Sequence, residues 1–91
     1  MADTATQDVE IVNDQGMHAR PIAMMVSAAQ KFRSKLFVAC EGREVDGKSV
    51  IQLMMISAPR GATLSLRAEG PDASELVAAV AAVVSGGFGE M

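Results

Sequence analysis

The only histidine of this chain, His18, sits two residues before Arg20 and three before Pro21. The stretch Gly16-Met17-His18-Ala19-Arg20-Pro21 follows a polar turn, Asn13-Asp14-Gln15-Gly16, and precedes a helix-like run from Ile22 to Phe32. An imidazole is therefore expected at the first position of a helix, where the leading backbone N–H groups have no partner inside the helix. Such an end carries partial positive charge and open donors, which suits an anion, phosphate above all. Arg20 adds a permanently charged planar fork that matches phosphate oxygens. Pro21 loses little by lacking an N–H in a first turn, and it biases Arg20 away from helical angles. Histidine titrates near neutral pH, so a neutral ring offers a nucleophilic nitrogen. The combination fits a phosphohistidine. On residue types alone a second reading stays open, in which these residues do no more than punctuate a helix start.

Placing such a site takes a strand before the turn and a helix after it. Asp8 to Asn13 alternates polar and apolar, as a half-buried strand does, and Met1 to Gln7 reads as a flexible tail. In the helix, Ile22, Met25, Val26 and Ala29 form one apolar stripe, with Met24 off it and partly exposed near His18. Lys35 to Glu41 is a second strand with Leu36, Val38 and Cys40 on one face, and Arg43 to Asp46 is a short edge strand. Cys40 is expected to be a buried small hydrophobe, and without Cys or His neighbours it makes no metal site. Ser49 has the chemistry of an N-cap for the short apolar segment Val50 to Ile56. Ala62 to Ala68 alternates again. Asp72 or Ser74 can then cap a last helix whose buried stripe is Leu76, Val77, Val80, Val83 and Val84. Gly86-Gly87 ends that helix, and residues 86–91 read as a C-terminal tail. Two long amphipathic helices and a short one require a sheet with one covered face, an α+β architecture.

Composition excludes several classes of function. At 91 residues the chain is expected to form one domain, and 49% hydrophobic against 21% charged residues is an ordinary globular balance. A net charge of −3, with 3% aromatic residues and no Trp or Tyr, argues against a nucleic-acid partner. No apolar run approaches a membrane span, and the polar N-terminus is unlike a secretory signal. A single cysteine leaves no internal disulfide. A cytoplasmic monomer is the expectation.

Gly16-Met17-His18-Ala19-Arg20-Pro21 is similar to the Gly-Leu-His-x-Arg-Pro signature of the HPr phosphocarrier family of the bacterial phosphotransferase system. Met17 in place of Leu is the one departure, mild in volume and polarity. Gly47-Lys48-Ser49-Val50 resembles the family's second signature, around its regulatory serine, and Ala68-Glu69-Gly70 is also similar. The resemblance covers nearly the whole chain and implies an open-faced β-sandwich. Its four-stranded antiparallel sheet would be covered on one side by three helices, in the order βαββαβα. The implied function is a phosphoryl relay in which Enzyme I, a phosphoenolpyruvate-dependent kinase, phosphorylates His18. His18 then passes the group to a downstream acceptor protein, while Arg20 stabilises the phosphate. No bound cofactor or metal is expected, and the chain is a carrier rather than an independent enzyme, since no second titratable group stands near His18 in sequence as its base.

The resemblance also implies a docking face. Val50, Ile51 and Met54 on the short helix, with Met24 and Met17, are expected to make an apolar patch around His18, although each of these residues also reads as simple core. Seven methionines suit an adaptable surface. Ser49 has a regulatory reading, phosphorylation by a serine kinase with reversal by a phosphorylase, beside its structural one as a cap. The tail Gly87-Phe88-Gly89-Glu90 resembles the nitrogen-related branch of the family, in which phosphorylation regulates binding without sugar transport. A scaffold that is never phosphorylated is a further alternative, against which the presence of His18 argues.

Overall fold

Alternating apolar residues build a sheet with one face in the core. The computed structural model describes residues 3–89. Its strands are β1 (Asp3–Glu10), β2 (Lys35–Cys40), β3 (Arg43–Asp46) and β4 (Thr63–Gly70). They form one sheet in the order β1-β4-β2-β3, with every neighbouring pair antiparallel. Leu36, Val38 and Cys40 of β2 and Leu64, Leu66 and Ala68 of β4 turn inward. On the outer face the Arg67 guanidinium lies 4.2 Å from the centre of the Phe37 ring and pairs with Glu44 and Glu69.

Three helices close the inner face: α1 (Ala19–Ala29), α2 (Val50–Leu53) and α3 (Ala73–Ser85). Pro21, Ile22, Met25, Val26 and Ala29 are the buried stripe of α1, and Leu53 anchors α2. In α3 the buried residues are Ala73, Leu76, Val77, Val80, Ala81 and Val84, while Val83 is only half-buried. The result is the expected α+β open-faced sandwich, four antiparallel strands and three helices in the order βαββαβα. No helix among the described residues is long and apolar enough to cross a membrane.

Both expected tails need correction. Residues 3–7 are not a tail. They are the first half of β1, paired from Asp3 opposite Gly70 through Gln7 opposite Leu66. Only Ala5 and Val9 of this edge strand are drawn inward, so the segment lacks the apolar rhythm that would mark it as a strand. At the other end Gly87–Gly89 makes a short 3-10 turn that buries Phe88. Gly86 ends α3, and Phe88 adopts φ 56° so that its ring folds back into the core. Residues 1–2 and 90–91 of the expected tails lie outside the described residues.

One polar clasp ties the helical layer to the sheet end. Asp72 stands at the N-cap of α3, but its carboxylate accepts from Arg33 N (2.9 Å), Ser34 N (2.8 Å) and Ser34 Oγ (2.5 Å) instead of capping. The Ser34 hydroxyl accepts in turn from Asp72 N at 3.0 Å. These bonds, the Ser34 hydroxyl first and the Arg33 N–H next, hold the Asp72 carboxyl down at about 2, against an ordinary 3.8.

Candidate functional site

The site is held by two loops packed backbone to backbone. Gly16 adopts φ +69°, and a Cβ there would lie 2.5 Å from the Ala58 carbonyl oxygen. Only glycine allows that approach. Met17 N then donates to Ala58 O at 2.9 Å, and Asn13 Nδ2 donates to Gly16 O at 2.7 Å. Across the same two loops Arg60 Nη1 meets Asp14 Oδ1 at 2.7 Å, an exposed pair that adds little stability of its own. The next residue on this platform is His18.

His18 is the N-cap of α1, one position before the first helical residue, Ala19, rather than at the expected first position, with extended backbone angles (φ −114°, ψ −168°). Its carbonyl accepts Ile22 N at 3.1 Å, so the backbone starts the helix while the half-buried side chain makes no cap bond. Ala19 and Arg20 present the first N–H groups of the helix, and no acidic residue lies in the first turn. An arriving phosphate would meet open donors and partial positive charge there with no carboxylate in that turn against it.

Arg20 is exposed and lines a polar cavity with Asp14, Gln15, Phe88 and Gly89. The buried Phe88 and the following Gly89 thus form a wall of the cavity that Arg20 also lines. Glycine-flanked Phe88 was the one signal in the sequence for this wall.

The expected apolar patch divides. Val50 and Ile51 stand exposed on α2 and Met54 at its C-cap, and Met55, which was not among the expected patch residues, joins them. Met24 is also exposed and shares a groove with Arg20 and Val83. Met17 is corrected: it is 8% exposed and belongs to the core, because its backbone bond to Ala58 turns the side chain inward. It still forms the wall of a groove with Met54, Ser57 and Pro59, so Met54 lies close to the residue before His18. Ser49 is the N-cap of α2, and its hydroxyl accepts from Gln52 N at 3.2 Å.

The chain is similar to known proteins in sequence and in fold. A family model described as "PTS HPr component phosphorylation site" matches residues 5–85. The chain is 38% identical to the phosphocarrier protein HPr of Cupriavidus necator, over 92% of this chain and 94% of that one. It is 39% identical to the phosphocarrier protein NPr of Escherichia coli K12, over 96% and 98%. Among solved structures, HPr-C-His from Thermoanaerobacter tengcongensis superposes with a TM-score of 0.90 at 34% identity, covering 96% of this chain and 98% of that one.

Proposed function

The chain belongs to the HPr family, the phosphocarriers of the phosphotransferase system, and on that premise we propose that His18 is its phosphoryl acceptor. The observation that carries the proposal is an imidazole at the mouth of α1, two residues from an exposed guanidinium, with no acidic group in the first turn. A ring nitrogen of His18 attacks phosphorus as the donor bond breaks, and the new N–P bond breaks in its turn when an acceptor attacks. The helix start and Arg20 stabilise the charge on the phosphoryl oxygens during both transfers. The partner supplies the rest of the site.

The donor in this reading is Enzyme I and the acceptor a downstream protein of the same system, both docking on Val50, Ile51, Met54 and Met55 with Met24 at the flank. One copy of the chain presents all of these residues, so the working unit is a monomer, and its compartment is the cytoplasm, where phosphoenolpyruvate is made. Ser49 caps α2 and is in addition the site for a regulatory serine kinase. A second reading, regulation by phosphorylation-dependent binding in the nitrogen-related branch, is favoured by the likeness to NPr over 96% of the chain. Acceptor proteins of the two branches, offered side by side to the phosphorylated chain, separate them by which one drains the label.

The test of the proposal is incubation with Enzyme I and phosphoenolpyruvate labelled in its phosphate. Label that is labile to acid and stable to base is expected, as for a phosphoramidate. Acid-stable label would place the group on a hydroxyl and overturn the assignment.

A further inference from the structure

Five methionines fall among the described residues, and they divide sharply by exposure. Met54 is 61% exposed, Met55 57% and Met24 37%, whereas Met17 is 8% and Met25 0%. Met54 and Met24 line grooves that reach the proposed phosphoryl site, and Met55 lies next to Met54 on the side of Cys40 and Arg43. Met54 shares a groove with Met17, the neighbour of His18, and Met24 shares one with Arg20. Met55 follows Met54, and its carbonyl accepts from Arg43 Nη1 at 3.1 Å.

We propose that Met54 and Met55, with Met24 after them, are peroxide-oxidised sites through which an oxidant switches off docking at the phosphoryl site. The proposal rests on the reading of His18 and α2 given above. In the reaction a sulfur lone pair attacks one oxygen of hydrogen peroxide and the O–O bond breaks. Hydroxide leaves, takes the proton from the S–OH group and departs as water, so sulfur loses two electrons and peroxide gains them. The product, a sulfoxide, is a polar acceptor where a flexible apolar side chain stood. A partner that covers it must bury that oxygen without a donor or leave it wet.

The one thiol does not compete for the first oxygen. Cys40 is buried, and burial first and the Glu41 charge second push its thiol up, so it stays protonated and unreactive. None of Met24, Met54 or Met55 is among the large side chains sealed in the core, so the fold survives their oxidation.

The experiment treats the full chain with graded hydrogen peroxide, maps added oxygen by peptide mass spectrometry, and measures phosphorylation by Enzyme I before and after. Among the described residues, oxygen is expected on Met54 and Met55 first, then Met24, with Met17, Met25 and Cys40 last. The KM for the chain should rise about tenfold, the factor that one unpaired polar group produces in a docking equilibrium, with the melting midpoint unchanged. Methionine sulfoxide reductase with a thiol reductant should restore both mass and KM. A Met24→Leu/Met54→Leu/Met55→Leu chain, compared only with itself, should keep its own KM through peroxide treatment. Failure of the untreated chain to take phosphate on His18 would overturn the reading of the site, and the docking role of the sulfurs with it. Normal phosphorylation before peroxide and an unchanged KM after it would overturn the methionine proposal alone. So would oxidation of Met17 or Met25 first, or a KM that rises only as the midpoint falls.

Discussion

Gly16 holds φ +69° against the Ala58 carbonyl and the Pro59 backbone, and His18 stands two residues beyond it. Gly16→Ala must strain the turn or part the two loops, at a cost of roughly 1–3 kcal/mol. The melting midpoint should fall by about 4–8 °C for each of those kcal/mol. Phosphorylation of His18 should slow as well, because Met17 N would leave Ala58 O and carry its neighbour with it. Calorimetry and a transfer assay on the same preparation check this, and an unchanged midpoint would remove Gly16 from the platform. Arg20 acts differently, since its exposed side chain holds nothing in the core. Arg20→Lys keeps the charge and loses the planar fork, so transfer should slow; Arg20→Ala should slow it further. Both variants should stay within about 0.5 kcal/mol of wild-type stability. Equal transfer rates for the three proteins would take Arg20 out of the site.

A helix of four residues such as α2 depends on its ends and its anchor. Ser49 provides the end, through Gln52 N, and the fully buried Leu53 provides the anchor. Ser49→Asp keeps an acceptor at the cap and places a negative charge at a helix start, which the backbone tolerates. The midpoint should stay near wild type while the KM for Enzyme I rises, because a partner must then cover apolar residues beside an unpaired anion. Unchanged kinetics would take α2 out of the docking surface. Leu53→Ala should instead lower stability by about 2–5 kcal/mol, measured by denaturant unfolding. Elements with an apolar rhythm were legible in the sequence: the stripe Ile22, Met25, Val26 and Ala29 is buried as spaced, and so are Leu36, Val38 and Cys40. Residues 3–7 were not legible, because pairing with β4 rather than side-chain burial makes them a strand. Phe88 was missed because a lone aromatic among glycines gives no period, and Met17 because a backbone bond to a distant loop decides its direction. Strand order depends on contacts far apart in the chain and leaves no local mark.

Across the whole molecule, the Asp72–Ser34 clasp joins the turn before β2 to the start of α3, and it has a pH signature. The carboxyl of Asp72 sits at about 2 in the fold, below its ordinary 3.8. A depressed folded value means that the contribution is complete above the ordinary carboxylate range and is lost as pH falls from about 4 through about 2. The wild-type midpoint should drop across that window, and Asp72→Asn should start lower and drop less steeply. Parallel curves for the two proteins would contradict the assignment. In the proposed function the clasp and the packed loops serve one end, a rigid domain that would present His18 to successive partners. Intact-mass measurement of wild type and His18→Ala, each incubated with Enzyme I and phosphoenolpyruvate, tests this most directly. Wild type should gain the mass of one phosphoryl group and lose it in mild acid, while His18→Ala, melting near the wild-type temperature, should gain none. A folded His18→Ala chain that still takes up a phosphoryl group from Enzyme I would contradict the account.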